Sequence, residues 1–173
     1  KQGSHFIDFL LGPSVVALGF LLHEQIEHIK GRTVSILISI LAGSLAGILS
    51  VIGIAVLLGA DKVLIATLQP KSVTTPIAIA IAERTGGVPA ITAVVVIAVG
   101  IFGGIVGPFI LDKLGVKSRI ARGLALGASA HGIGTARAME LGAVEGAISG
   151  LAIGIMGLAT AFLVPLVMAL LSV

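Results

Sequence analysis

The chain has 173 residues, of which 57% are hydrophobic and 11% charged, and its formal net charge is +3. An ordinary soluble domain is about half apolar and about a quarter charged, so this composition argues against a soluble protein. The chain has no cysteine, which excludes disulfides, thiolate catalysis and cysteine-ligated metals within it. No basic and aromatic surface stands out in the sequence, so nucleic acid is not an expected partner.

Three runs without a charged residue dominate the chain, at residues 33–60, 85–111 and 146–173. Each is longer than the ~20 residues with which a helix crosses a bilayer. The runs lack strict alternation and the chain has no Trp or Tyr, which excludes the strands of a membrane β-barrel. A shorter hydrophobic segment at residues 6–22 precedes them and carries Asp8. The sequence therefore predicts an all-α membrane protein with several transmembrane helices in a lipid bilayer.

Two segments share a different design, in which a polar stretch rich in Gly, Pro or Thr divides two short apolar pieces. The polar stretches, which we term the first and second breaks, are residues 69–76 and 130–135. Each segment follows a long charge-free run. This repeated order of long span and interrupted segment predicts two broken or re-entrant helices in an inverted repeat.

Loop charge bears on how the segment around the first break lies in the membrane. Lys30 and Arg32 mark one basic loop, and residues 113–122 mark another. Because cytoplasmic loops carry an excess of Lys and Arg, both loops are expected on the cytoplasmic side. That arrangement requires the segment to re-enter and leave on the same face, so we favour this interpretation over a full crossing.

Glycines recur at every fourth position in the long runs. The series are Gly43 and Gly47, Gly100 and Gly104, Gly103 and Gly107, and Gly146, Gly150 and Gly154. Small residues at this spacing let helix backbones approach closely. We interpret the pattern as tight internal packing, with the seam of a dimer as the alternative.

The first break has the composition of an anion site. Thr74 or Thr75 suits a helix N-cap and Pro76 suits the first helical position, so a half-helix would start inside the membrane with free N–H groups. Such an N-terminus attracts negative charge, and Lys71 and Ser72 add a cation and a hydroxyl. The alternative is a proline kink beside a lysine that extends its amine to the membrane surface.

The second break also has the composition of an anion site, with glycines in place of prolines. Gly132 and Gly134 permit unusual backbone angles or the close approach of a ligand, and Thr135 can cap the following half-helix. His131 is the one histidine inside an apolar region. It can titrate near neutrality and couple proton movement to transport, or it can serve as a neutral hydrogen-bond partner.

Charged residues follow the second break. Arg137 and Glu140 lie three positions apart and can pair, and Glu145 can join them. They form either a structural ion pair or, through Arg137, a binding group for a carboxylate. Enzyme function is not expected, because Ser72 and His131 lack an acidic third partner at a recognisable spacing and no P-loop or HExxH motif occurs. A lone histidine with scattered acids predicts no metal, and no cofactor is expected.

Four stretches form long and specific motifs: LGPSVVAL (11–18), PKSVTTPIA (70–78), GGVPAITA (86–93) and RGLALGASAHGIGTARA (122–138). They resemble the signature blocks of the LrgB/CidB family of holin/antiholin-like membrane proteins. The resemblance extends over nearly the whole chain and implies a single LrgB-like transmembrane domain at residues 1–173. Family members usually carry further transmembrane sequence before this point, so the chain is expected to lack N-terminal transmembrane sequence.

The resemblance implies two functional descriptions. Bacterial members are named as holin/antiholin-like regulators of murein hydrolase activity and cell lysis. Plastid relatives carry glycolate and glycerate, and some bacterial members are linked to pyruvate uptake. Because two polar breaks with cations suit a small carboxylate better than a hole-forming protein, we predict a secondary transporter of small monocarboxylates. Its location would be the bacterial cytoplasmic membrane, or the plastid envelope for a plant protein.

The carboxylate substrate would lie near the bilayer midplane, between the two breaks. The residues predicted to contact it are Lys71, Ser72, Thr74, Thr75, Pro76, His131, Gly132, Gly134, Thr135 and Arg137. The alternative is an antiholin-like regulator of murein hydrolase activity and cell lysis. It would act by oligomerisation in the membrane, as a homo-oligomer or with a small LrgA-like membrane partner.

Overall fold

Six helices make up the described part of the chain, which in this computed structural model comprises residues 30–171 with Phe20, His23, Glu24 and Glu27. They are α1 (Thr33–Leu57), α2 (Lys62–Leu68), α3 (Thr75–Thr85), α4 (Pro89–Lys113), α5 (Arg119–Leu141) and α6 (Ala143–Leu171). No strand occurs among these residues, so the predicted all-α fold is confirmed. The hydrophobic segment predicted at residues 6–22 lies outside the described residues, apart from Phe20.

Helices α1, α4 and α6 are long and apolar enough to cross a membrane. Large hydrophobic side chains cover their outer surfaces: Phe102 on α4 is 67% exposed and Phe162 on α6 is 76% exposed. Extended apolar surface of this kind is stable against lipid or protein rather than against water. Together with the composition, it identifies the chain as an integral membrane protein.

Helix α4 starts later than the charge-free run from residue 85 indicates. Gly86 closes α3 in a left-handed conformation with a φ of 80°, which glycine adopts without a Cβ clash. Pro89 then opens α4, at a position where its missing N–H is not needed by the helix. Local turn chemistry therefore divides a run that charge alone leaves undivided.

A short non-helical connection separates α2 from α3. Pro70 has no N–H with which to continue α2. The chain instead forms two turns, in which the Lys71 N–H donates to the Leu68 carbonyl (3.2 Å) and the Val73 N–H donates to the Pro70 carbonyl (3.4 Å). The predicted polar stretch is therefore non-helical at its centre.

Thr67, near the end of α2, is tied to the start of α4. Its hydroxyl donates to the Val63 carbonyl at 2.6 Å and accepts from the Val88 N–H at 2.8 Å. Its carbonyl accepts from the Thr92 hydroxyl at 2.9 Å. A Cβ at Gly87 would lie 2.8 Å from the Thr67 nitrogen, so the close approach requires glycine. The end of α2 therefore lies against the beginning of α4.

Helix α5 bends sharply near its middle. Ala130 (φ −128°, ψ 15°) and His131 (φ 41°, ψ −128°) have backbone angles outside the helical range. A Cβ at Gly134 would overlap the carbonyl oxygen of Leu126. Eight residues of straight helix span about 12 Å, so this contact requires the bend. The left-handed φ falls on His131, whereas the sequence led us to expect unusual angles at the neighbouring glycines.

Glycines hold α5 close to α4 and α6. A Cβ at Gly107 of α4 would lie 2.8 Å from the Leu126 side chain, and one at Gly127 would lie 2.7 Å from the Ser149 hydroxyl on α6. Of the glycines in the predicted series, those that lie this close to another helix confirm the predicted internal packing: Gly100, Gly103, Gly104, Gly107 and Gly146. A Cβ at Gly43, Gly47 or Gly154 would have no neighbour within 4 Å, so the alternative of a dimer seam stays a prediction there.

Candidate functional site

Lys71 and Ser72 form the polar centre of the first break. Lys71 Nζ donates a hydrogen bond to the Ser72 hydroxyl at 2.9 Å, and both residues are half-buried. Within the described residues no carboxylate lies within 4.0 Å of this amine. A cation in apolar surroundings is stabilised by an opposite charge, so Lys71 is available to an anion.

These two side chains line a cleft of about 590 Å³, which we term the Ser39 cleft. Helix α1 contributes Ser39, Gly43 and Gly47 to its wall, and the end of α4 and the first half of α5 complete it. Most of the lining is aliphatic or glycine. The cleft thus combines a mainly apolar wall with a few polar groups, which is typical of small-molecule sites.

The segment that leads into the second break reaches the same cleft through Ala128 and Ser129, whereas no residue of the break itself lines it. The Ser129 hydroxyl donates to the Ala125 carbonyl at 2.6 Å and keeps its lone pairs free to accept. Sequence reasoning missed Ser129, for which the sole signal is its position next to the break. The first break and the segment leading into the second therefore meet at the Ser39 cleft.

The remaining residues predicted from the first break lie at the start of α3. Thr74, one of the two residues predicted for the N-cap, occupies that position, but its side chain makes no capping hydrogen bond. Thr75 is the first helical residue, so Pro76 lies at the second helical position rather than at the predicted first. None of the three is among the residues that line the Ser39 cleft. The structure therefore brings Lys71 and Ser72 into the cleft without these neighbours.

His131 is buried and lies against α4. Its Nε2 lies 2.9 Å from the Val96 carbonyl oxygen. Because a carbonyl only accepts, Nε2 donates and carries a proton. A Cβ at Gly100 would lie 2.6 Å from the ring, so the ring fits against the helix only at this glycine. This contact fits the predicted role of His131 as a hydrogen-bond partner, and its part in proton movement stays a prediction.

The other residues of the second break serve the packing of α5. Gly134 is buried against Leu126, whereas Gly132 is exposed. The Thr135 hydroxyl shares a buried hydrogen bond of 2.7 Å with Ser149 of α6 and lies within α5 rather than at a helix start. These contacts explain Gly134 and Thr135 without a ligand, whereas nothing in the structure explains the glycine at Gly132.

Arg137 lies in a different part of the molecule from Lys71. Arg137 and Glu140 form an ion pair, and both line a separate groove of about 420 Å³ with Ile101 and Ile105 of α4. Glu145, the expected third member, is buried against Gly142 instead. The structure therefore does not bring Arg137 and Lys71 into one cavity.

Gln69, in the first break, is another polar residue that sequence reasoning missed. Its side chain is 2% exposed, and neither its amide nitrogen nor its amide oxygen has a hydrogen-bond partner in the described residues. An unpaired buried amide costs about 1–3 kcal/mol, so this position is suited to a water molecule or a polar ligand group.

No group of three His, Asp or Glu side chains that could hold a metal ion occurs in the part of the chain described. The Lys71 amine and the Ser72 hydroxyl both have N–H or O–H groups that can donate to an anion, whereas the Ser129 hydroxyl already donates to Ala125. The first break therefore supplies donors to this cleft.

The model of the LrgB-like family matches residues 1–170 of this chain. The chain belongs to the LrgB-like family. The resemblance inferred from the motifs is thereby confirmed. Within the family, the chain is similar to the uncharacterized protein YxaC of Bacillus subtilis (strain 168). The two are 39% identical over 165 residues, which cover 95% of this chain and 72% of YxaC.

Two further relatives extend the comparison. An uncharacterized protein of Haemophilus influenzae is 39% identical over 165 residues, covering 95% of this chain and 71% of the relative. The antiholin-like protein LrgB of Bacillus cereus (strain B4264) is 34% identical over 168 residues, covering 97% of this chain and 73% of the relative. No solved structure matches this LrgB-like chain.

Proposed function

We propose that this LrgB-like chain is an antiholin-like regulator of murein hydrolase activity and cell lysis in the bacterial cytoplasmic membrane. The observation that carries the proposal is its similarity, over 97% of its length, to the antiholin-like protein LrgB of B. cereus. The exposed apolar faces of α1 and α4, with Ile38 and Phe102, support assembly with further copies or with a small LrgA-like membrane partner. Such a role requires no enzymatic activity.

Expression in a bacterium that lacks its own LrgB-type genes tests this role. We expect the expressing strain to lyse more slowly in detergent, and its extracellular murein hydrolase activity to fall. A strain with an unrelated membrane protein at the same level is the control, because overexpression alone disturbs membranes. Unchanged lysis at equal expression would contradict the antiholin-like role.

We infer further that the chain forms one transmembrane domain whose first break lies in a re-entrant hairpin. The hydrogen bonds of Thr67 with Val88 and Thr92 support this, because they hold the end of α2 beside the start of α4. Helix α2 also begins directly after α1. Helices α2 and α3 would then enter and leave the membrane on the face where α1 ends and α4 begins.

The bend in α5 supports a re-entrant hairpin at the second break as well. After the bend, Gly134 lies beside Leu126, and Thr135 bonds to Ser149. Ser149 also lies beside Gly127, in the first half of α5. The second half of α5 would therefore run back along the first half, so that α6 starts on the face where α5 began.

The resulting order is span, hairpin, span, hairpin, span, in which α1 with the first hairpin and α4 with the second would form an inverted repeat. In this topology Arg32, before α1, lies on the same face as the basic loop at residues 113–122. Because cytoplasmic loops carry the excess of Lys and Arg, that face would be cytoplasmic.

A second candidate function is secondary transport of a small monocarboxylate of the pyruvate, glycolate or glycerate type. The observation that favours it is that Lys71, Ser72 and Ser129 line one cleft. Transporters built as inverted repeats bind their substrates between interrupted helices near the bilayer midplane. An amine attracts a carboxylate more strongly in apolar surroundings than in water, and the Ser72 hydroxyl can donate to a second oxygen of the substrate.

Uptake by liposomes that contain the purified protein tests the transport function. We expect saturable uptake of labelled pyruvate or glycolate, with each acid competing with the other. Protein-free liposomes are the control, and an entrapped dye reports general leakage. Flux that does not saturate, together with dye release, would contradict transport and indicate a pore.

A further inference from the structure

A second cleft lies on the other side of Lys71. It has a volume of about 560 Å³, and we term it the Ile54 cleft. Its wall includes Ile54 of α1, Leu58 and Asp61 of the turn after it, and Leu64 of α2. Lys71 is the one residue that lines both this cleft and the Ser39 cleft. The two clefts therefore meet at a single cationic side chain.

Both clefts lie along α1. Ser39, Gly43 and Gly47 line the Ser39 cleft, and Val51 and Ala55 follow at the same spacing in the Ile54 cleft. A helix turns once in about 3.6 residues, so each step of four positions advances about 6 Å and turns about 40° further around the axis. These five residues therefore form a ridge that winds around α1 over about 24 Å, and the two clefts together, which we term the groove, follow it in succession.

The groove extends towards both ends of the helices. The Ser39 cleft is lined at one end by Leu111 and Ala121, which flank the basic loop between α4 and α5. The Ile54 cleft reaches Gly59 in the turn after α1. Between these ends, a Cβ at Gly47 would meet no atom within 4 Å, so the groove is open at this glycine.

We propose that the two clefts are the two halves of one anion pathway along α1, and that Lys71 both separates the halves and binds the anion between them. The proposal rests on the second candidate function, carboxylate transport. The Lys71 amine is the cation at the junction, and its bond to Ser72 holds it there. An anion that enters from either half meets the same amine, and movement of the first break about Lys71 would open one half at a time.

Single-cysteine labelling tests the pathway directly, because the chain has no cysteine of its own. Gly47→Cys probes the Ser39 cleft and Ile54→Cys probes the Ile54 cleft. Each variant of the protein is treated in sealed membrane vesicles of both orientations. The probes are two membrane-impermeant methanethiosulfonates of similar size, one anionic and one cationic.

We expect Gly47→Cys to react from one side of the membrane and Ile54→Cys from the other. Both should react about tenfold faster with the anionic reagent, because the Lys71 amine lines the cleft at each position, where it attracts an anion and repels a cation. Addition of Lys71→Gln should remove this preference without changing the sidedness. Leu45→Cys and Leu49→Cys lie on α1 outside both clefts and should react slowly in both orientations.

Labelling of both cleft positions from the same side would overturn the proposal. Labelling as slow as at Leu45→Cys would also overturn it, because lipid or another protein segment would then fill the groove. The labelling expected above, in a protein that takes up neither pyruvate nor glycolate, would support the pathway and reject those acids as its cargo.

Discussion

Replacement of Lys71 by alanine is expected to lower carboxylate uptake by about 30-fold or more at subsaturating substrate. Loss of one partner of a desolvated charge pair costs about 2–5 kcal/mol, and 2 kcal/mol corresponds to about 30-fold. Within the described residues, Lys71 is the only Lys or Arg that lines the Ser39 cleft. Initial rates of pyruvate or glycolate uptake into liposomes measure the effect.

Matched variants separate the charge of Lys71 from its packing. Lys71→Arg keeps the charge and should retain part of the uptake. Ser72→Ala should lose about tenfold or more, because a hydrogen bond to a charged group contributes about 1.5–3 kcal/mol. Lys117→Ala, in the exposed loop before α5, should leave uptake unchanged. Uptake by Lys71→Ala at the wild-type rate, in protein that elutes normally by size in detergent, would rule out this amine as the anion site.

The same Lys71→Ala variant distinguishes the two candidate functions. If the chain regulates lysis through assembly of its apolar faces in the membrane, the cleft is not required and the variant should slow lysis as the wild type does. If the effect on lysis follows from carboxylate transport, the variant should lose both activities together. Lysis and uptake assays on the same set of variants therefore decide whether the antiholin-like effect depends on carboxylate transport through the Ser39 cleft.

Gly127→Ala is expected to destabilise the protein by about 1–3 kcal/mol, the usual cost of an added group in a packed interface. The new Cβ would lie 2.7 Å from the Ser149 hydroxyl and 2.9 Å from its Cα. Backbone atoms cannot move aside alone, so α5 and α6 would separate and strain the bond from Thr135 to Ser149 (2.7 Å). Thermal unfolding in detergent should show a lower midpoint, by about 2–4 °C for each kcal/mol in a chain of this size.

Gly154→Ala is the matched control on α6. A Cβ at Gly154 meets no atom within 4 Å, and alanine is the better helix former by up to about 1 kcal/mol. This variant should unfold at the wild-type midpoint or slightly above it. Equal midpoints for Gly127→Ala and Gly154→Ala would show that the α5–α6 contact is looser than the structure indicates.

Several parts of the fold and site follow from local sequence. Membrane location could be predicted from the apolar composition and from the length of the charge-free runs. A helix that crosses a bilayer needs both, however the helices are arranged. Pro70 ends α2 and Gly86 ends α3, since one lacks an N–H and the other takes a left-handed φ of 80°. The first break, with Lys71 and Ser72 in it, could therefore be located from the sequence.

Which residues line the Ser39 cleft could not be predicted in the same way. The sequence indicated His131, Thr135 and Arg137, but the bend in α5 turns His131 towards α4, Thr135 towards α6 and Arg137 into a separate groove. Ser129 reaches the cleft instead. The direction of a side chain beyond such a bend depends on the backbone angles at one or two residues, which composition and spacing do not specify.

The sequence by itself determined that this protein lies in a lipid bilayer, which family it belongs to and where its two breaks lie. Each of these depends on nearby residues, or on motifs read in order along the chain. Tertiary structure alone decided that the Thr92 hydroxyl donates to the Thr67 carbonyl, 25 positions away. It also decided that Lys71 lies where two clefts along α1 meet. The physical reason is that convergence depends on how separate helices pack, and contacts between distant residues leave no periodic signal in either segment.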